Sequence, residues 1–270
     1  MGVNDITLAG GMRSSLLQLQ MTSAQQARTS LRLSTGLRVN APSDDAAAYF
    51  AAQAERSRAN DLSARKNEMG EALQTVSAAN EGIKGITSLI EQAKGLISAA
   101  RSANTADRAT LATQYDALRG QIDQLAGDAG YKGTNLLAGD TLTVSFNEDG
   151  SSSLDIVGSA SDSAGLGLTA AAGAWASDAN LTTDQGLLDA ALTTLRSTAK
   201  TLGSNNSVVT ARQDFTNGMI NTLTTGADNL TIADPNEEGA NMLALQTRQQ
   251  LGIVALSMSA QSQQSILKLF

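Results

Sequence analysis

Residues Leu62–Ala100 read LSARKNEMGEALQTVSAANEGIKGITSLIEQAKGLISAA. Leu62, Met69, Val76, Ile83, Ile90 and Ile97 fall seven residues apart, and Ala72, Ala79, Ile86, Ala93 and Ala100 fill the companion position, which only Arg65 breaks. An apolar side chain every seven residues, sustained this long, is the seam of a coiled coil. Carried back to Ser43 or Asp44, where acidic residues suit a helix start, the helix would be roughly 85 Å long at about 1.5 Å per residue. Gly70, Gly82, Gly85 and Gly95 lie off the seam. They read as drift on an exposed face or, alternatively, as places where a neighbouring molecule meets the backbone.

A partner seam runs from Leu188 to Leu230 with alternating spacings of four and three. Its apolar members are Leu188, Leu192, Leu195, Ala199, Leu202, Val209, Ile220, Leu223, Ala227 and Leu230; Asn206, Gln213 and Thr216 interrupt it. A buried Asn206 or Gln213 would fix register, whereas an exposed one would merely mark a wider spot. Thr182 and Gln185 match a capping box at the start of this helix. Between the seams, Leu111, Tyr115, Leu118, Ile122 and Leu125 predict a shorter antiparallel helix. The period then changes to two: Leu142, Val144 and Phe146, a turn at Asn147–Gly150, and Leu154 and Ile156 predict a β-hairpin. Residues 158–180, rich in Gly, Ala and Ser with one Trp175, read as loop.

Only two prolines occur, Pro42 and Pro235, and outside them lie two further helices of a different kind. Residues 5–33 carry the stripes Met12-Leu16-Leu19 and Leu17-Met21-Ala24-Leu31. Residues 236–270 carry apolar side chains most of the way round, interleaved with Gln, Ser and Ala. A helix apolar on several sides has to be buried on several sides, so these helices are expected to be covered by other copies of the chain. The expected contact residues are Leu16, Leu17, Met21, Leu31 and Leu33 on the first. On the second they are Met242, Leu245, Leu251, Val254, Leu256, Met258, Ile266, Leu267 and Phe270. Asp234-Pro235-Asn236-Glu237 supplies an N-cap, a Pro at the first helical position and an acidic third residue.

Composition narrows the function. Cys and His are both absent, which excludes thiol and His-dependent catalysis, Cys/His zinc sites and disulfides. No cofactor is expected. The formal net charge of −7 argues against a general nucleic-acid binder. The opening residues lack the basic and apolar regions of a Sec-type signal peptide, and no apolar run approaches the length of a membrane span. A membrane-surface helix would show a basic polar face, and 236–270 has only Arg248 and Lys268. The acidic pairs Asp44-Asp45 and Glu237-Glu238 sit at helix starts, which accounts for them without catalysis. No enzymatic constellation is visible, and the Ser/Thr cluster at 151–163 reads as solvated loop.

Leu31–Asn40 (LRLSTGLRVN) followed by Asp44-Asp45-Ala46-Ala47, together with Thr225–Leu245 (TGADNLTIADPNEEGANMLAL) and Gln246–Leu251 (QTRQQL), resembles the bacterial flagellins. The resemblance covers about 1–135 and 183–270. It implies a mainly α fold: a long antiparallel coiled-coil rod with a small β-hairpin insertion, plus paired terminal helices forming a filament-core domain. Residues 1–33 and 236–270 would be that core, 34–137 and 181–235 the rod with its connectors, and 138–180 a short outer region. The implied role is a self-assembling filament subunit that polymerises with identical or paralogous flagellins. The implied route is export, unfolded and uncleaved, through the flagellar type III apparatus. An export chaperone, a filament cap and hook-junction proteins are the implied partners, and the extracellular filament the implied location. Leu89–Leu96 (LIEQAKGL) carries Glu91 and Lys94 but no Arg where some relatives present one to the animal innate receptor for flagellin, so weak engagement is expected. A hook–filament junction protein and a type III-secreted helical binding protein are the alternatives.

Overall fold

The computed structural model describes residues 10–267, with only the backbone given for Gly10, Gln263, Ile266 and Leu267. Five helices carry it: α1 (Gly10–Thr35), α2 (Ala46–Ser102), α3 (Thr105–Asp128), α4 (Asp178–Thr231) and α5 (Pro235–Leu267). Two short strands, β1 (Thr141–Ser145) and β2 (Ser153–Val157), pair antiparallel between α3 and α4. The fold is mainly α with one hairpin, as the two periods predict. Two compact units emerge: residues 58–221, and residues up to 57 together with those from 222 onward. The division falls inside α2 and α4 rather than at the prolines, because the Pro-proximal ends of those helices group with α1 and α5.

In the unit formed by 58–221, Leu62, Met69, Val76, Ile83, Ile90 and Ile97 are all buried, as are Leu188, Leu192, Leu195, Leu202 and Val209 of α4. Each such side chain contributes about 1.5–3 kcal/mol when fully withdrawn from water. The three polar interruptions part ways, Thr216 being buried. Gln213 is half-buried and donates from Nε2 to the Lys66 carbonyl across the seam at 3.3 Å, whereas Asn206 is exposed. At the far end, Arg108 ties three helices together. Its Nε donates to the Ala100 carbonyl in the last turn of α2 at 2.8 Å and to the Ala103 carbonyl just beyond that helix at 3.2 Å, and its Nη2 meets Asp178 at 2.7 Å at the start of α4. Asn104 caps α3 by accepting from the Asp107 amide.

Four sequence expectations are corrected here. First, α2 starts at Ala46: Asp45 caps it by accepting from the Ala48 amide, while Asp44 closes the preceding turn by accepting from the Asn40 and Ala41 amides. Second, α4 starts a turn before the Thr182/Gln185 pattern. Thr182 donates back to the Asp178 carbonyl from inside the helix, and Gln185 accepts from Arg101. Third, Gly82 and Gly85 are neither drift nor a contact with another molecule. A Cβ on Gly82 would lie 2.7 Å from the Ala129 Cβ and from Leu137, and one on Gly85 would lie 2.6 Å from Leu125. The missing side chains let α3 and the segment after it lie against α2.

Fourth, residues 158–177 are loop as expected, apart from a 3₁₀ turn at Ala172–Trp175, but they form a packed strap, and the end of the 151–163 cluster is buried rather than solvated. Leu166, Leu168, Ser161, Ser163 and Trp175 are buried. Carboxylates hold its backbone: Asp123 accepts from the Ser163 amide at 2.6 Å, Asp116 from Ala171 at 3.0 Å, and Asp184 from Ala172 at 2.9 Å. Tyr115 lies beneath, its ring 5.3 Å from that of Trp175. Burial, with Asp184 and Asp116 nearby, pushes its phenol up to about 12. The hairpin is as expected, with Val144 opposite Leu154 and Leu142 opposite Ile156. Gly150 takes a left-handed conformation (φ +72°) in its turn.

Candidate assembly interface

The other unit is built on two chain reversals that lock together. Gly36 ends α1 in the left-handed region (φ +71°), where a side chain would be strained. Asp234 begins α5 by accepting from the Asn236 amide at 2.8 Å and the Glu237 amide at 3.4 Å, with Pro235 as first helical residue. Between these points the two connectors form one antiparallel bridge, Leu37 to Ile232. The Arg38 amide donates to the Thr231 carbonyl at 2.7 Å, and the Ala233 amide donates to the Gly36 carbonyl at 2.9 Å. Val39 and Ala233 are buried beneath the bridge. Arg56 of α2 braces it by donating to Asp228 and to the Thr231 hydroxyl, both at 3.1 Å. Backbone donors from Asn40 and Ala41, and more weakly Arg28 and Arg32, hold the Asp44 carboxyl below its usual range.

From this joint α1 and α5 run side by side, and few side chains are fully buried in their mutual seam. Thr22, Thr29 and Leu245 are buried in it. Gly252 admits Leu19, whose Cδ2 would lie 3.2 Å from any Cβ added there. Near the joint, Arg32 pairs with the buried Glu238 at 2.9 Å. Nine large apolar side chains point away from this seam. Leu17, Met21, Leu31, Leu33, Leu243, Leu251, Ile253, Val254 and Met258 are all 45–67% exposed. Met12, Leu251, Val254 and Met258 line an open apolar groove of about 630 Å³.

Of the expected contact residues, then, Leu17, Met21, Leu31, Leu33, Leu251, Val254 and Met258 face outward, and Leu16, Met242 and Leu256 are half-buried. Leu245 is taken up by the chain's own seam. Phe270 and the side chains of Ile266 and Leu267 lie outside the described residues. Of the expected seam residues of α4, Leu223 and Leu230 fall in this unit and are half-buried, while Ala227 between them is fully buried. Leu243 and Ile253, which no pattern in the sequence separates from their neighbours, join the outward set. So does Phe50 of this unit, 61% exposed, whose only sequence signal is an aromatic side chain in an alanine-rich stretch.

Among the described residues no group of His, Cys, Asp or Glu could hold a metal, and no helix is long and apolar enough to cross a membrane. A soluble monomer rarely exposes more than a few hundred Å² of contiguous apolar surface. Paired helices that bury so little between them and leave nine large apolar side chains outward define the class: a subunit built to be covered by other subunits. The bacterial flagellin N-terminal helical region matches residues 6–141, and the bacterial flagellin C-terminal helical region matches residues 186–270. Flagellin FljM of Caulobacter vibrioides is 31% identical over 274 residues, covering all of both chains. A flagellin of Brucella melitensis is 31% identical over 95% of each chain. The crystal structure of Bacillus cereus flagellin overlaps 55% of this chain and 88% of its own, with 18% identity and a TM-score of 0.49. The chain belongs to the bacterial flagellins, structural subunits of the flagellar filament rather than enzymes.

Proposed function

We propose that the chain polymerises through the outward faces of α1 and α5, with residues 1–33 and 236–270 as filament core, 34–137 and 181–235 as the surrounding helical layer, and 138–180 outermost. The exposed apolar set on α1 and α5 carries this reading. Neighbouring identical or paralogous subunits bury that set, and the rod seam stays within each chain. The subunit is secreted through the flagellar type III apparatus with an export chaperone, and it adds beneath a filament cap on a base of hook-junction proteins. Absence of cysteine, which could cross-link in transit, is compatible with that route. Engagement of the animal innate receptor is weak, because Leu89–Leu96 lacks an Arg and Lys94 is held by Asp189 at 2.7 Å; a receptor-reporter assay on dissociated subunits reads this.

Seeded growth tests the central reading. Leu251 and Met258 are about two-thirds exposed in the single chain, so changing both to Gln removes little from its own fold, within about 0.5 kcal/mol. In a filament the same pair would complete its burial, at about 1–1.5 kcal/mol per side chain. The critical concentration for elongating filament fragments is then expected to rise ~30–150-fold. Growth of the double variant at the unmodified chain's concentration would refute the assignment.

A further inference from the structure

A second feature of the α1–α5 pair is its charge. Residues 10–35 and 239–267 contain Arg13, Arg28, Arg32 and Arg248 and no Asp or Glu, in a chain where 26 acidic residues outnumber 19 basic ones. Three of these arginines line one groove of about 300 Å³ with Gln25 and Asn241. Among the described residues Arg32 has an ion-pair partner, Glu238, while Arg28 and Arg248 have none within 4.0 Å. Copies lying side by side in register would set guanidinium against guanidinium in a partly dry interface, which costs several kcal/mol by like-charge opposition.

The counter-charge is present at the joint. Asp44, Asp45 and Asp234 are exposed there, but each is engaged in capping backbone amides. Glu237 is exposed in the first turn of α5, and its carboxylate makes no hydrogen bond among the described residues. Eleven residues separate Glu237 from Arg248. At 100° per residue they share one face of α5, about 16 Å apart along the axis. We infer that the arginine groove docks Glu237 of a second copy of this chain, displaced along the helix axis by that distance. A carboxylate entering the groove meets Arg248 and Arg28 as planar forks suited to bidentate pairing. Between copies of the same polarity the contact is heterologous, because each groove takes the carboxylate of the next copy and leaves its own Glu237 for a third, so it propagates instead of closing. Its role is to set the stagger between neighbours, which apolar side chains alone specify poorly.

The inference rests on assembly through α1 and α5, and charge exchange separates the two. Arg248→Glu and Glu237→Arg are each expected to raise the critical concentration for seeded growth about tenfold at low ionic strength, and Glu237→Gln about threefold. The chain carrying both Arg248→Glu and Glu237→Arg re-forms the Arg248 half of the contact in reversed polarity while Arg28 stays opposed, and is expected to recover at least about threefold over either single variant. Recovery in the double variant also shows that neither change destroys the fold. Single variants that grow normally, or a double variant no better than the singles, would overturn the inference and leave the apolar interface standing. Failure of the unmodified chain to elongate seeds would instead remove the assembly reading beneath it.

Discussion

Trp175 is the chain's sole tryptophan and is fully buried, with its indole nitrogen 2.6 Å from Asp184 Oδ2. The same oxygen accepts from the Ala172 amide, so one carboxylate satisfies two buried donors at the end of the strap. Asp184→Ala orphans both, and an unsatisfied buried donor costs about 1–3 kcal/mol. Urea unfolding followed by Trp175 fluorescence is expected to show a loss of about 2–4 kcal/mol. Asp184→Asn keeps an acceptor oxygen and should lose less than half of that. If the two substitutions cost the same, the carboxylate's hydrogen bonds are not what holds the strap. Nothing in the local sequence signalled this arrangement. A Gly, Ala and Ser-rich stretch has no period to read, and its anchors on α3, Asp116 and Asp123, lie 55 and 40 residues respectively from the amides they hold.

At the scale of elements, the glycines of α2 separate what periodicity reveals from what it cannot. In an exposed helix, Gly→Ala stabilises by about 1 kcal/mol. Gly95 has nothing within 4 Å of an added Cβ, so Gly95→Ala should follow that rule. Gly82 has the Ala129 Cβ at 2.7 Å, an atom with no torsion by which to withdraw. Gly82→Ala is therefore expected to destabilise by about 1–3 kcal/mol through overpacking. Thermal unfolding of the two variants should show midpoint shifts of opposite sign; shifts of the same sign would remove the close approach from the account. The seam residues Met69 to Ile97 were legible because a heptad is complete in one stretch of chain. Gly82 was not, because its reason lies in Ala129 and Leu137, brought to it by a turn of chain that no local pattern encodes. The Thr182/Gln185 motif misled for a related reason: it fits a capping box, but Asp178 and Arg101 had already claimed those side chains.

For the whole molecule, the two units differ in what holds them, and this predicts how each opens. In residues 58–221 the helices bury Met, Ile, Val and Leu along several turns, with Tyr115 and Trp175 added on one side. In the α1–α5 pair only Thr22, Thr29 and Leu245 are fully buried in the seam, with Leu16, Leu19, Met242 and Leu256 half-buried, and threonines withdrawn from water contribute far less than leucines. Ordering a residue costs about 1–2 kcal/mol of conformational entropy, so a long helix pair with so small a buried apolar surface is marginal by itself. The outward Leu, Val and Met that would close the deficit remain in water until another copy arrives. Amide exchange in dilute subunit is accordingly expected to report opening free energies of about 0–2 kcal/mol across 15–30 and 242–262. Amides across 69–97 should approach the global stability of that unit, about 5 kcal/mol or more. In the assembled filament the first two stretches should slow by at least about a hundredfold, since burying one further Leu or Met per turn is worth ~1.5–3 kcal/mol, while 69–97 should change little. Slow exchange at 242–262 in the dilute subunit would mean that this seam suffices by itself, and the outward apolar faces would then need another explanation.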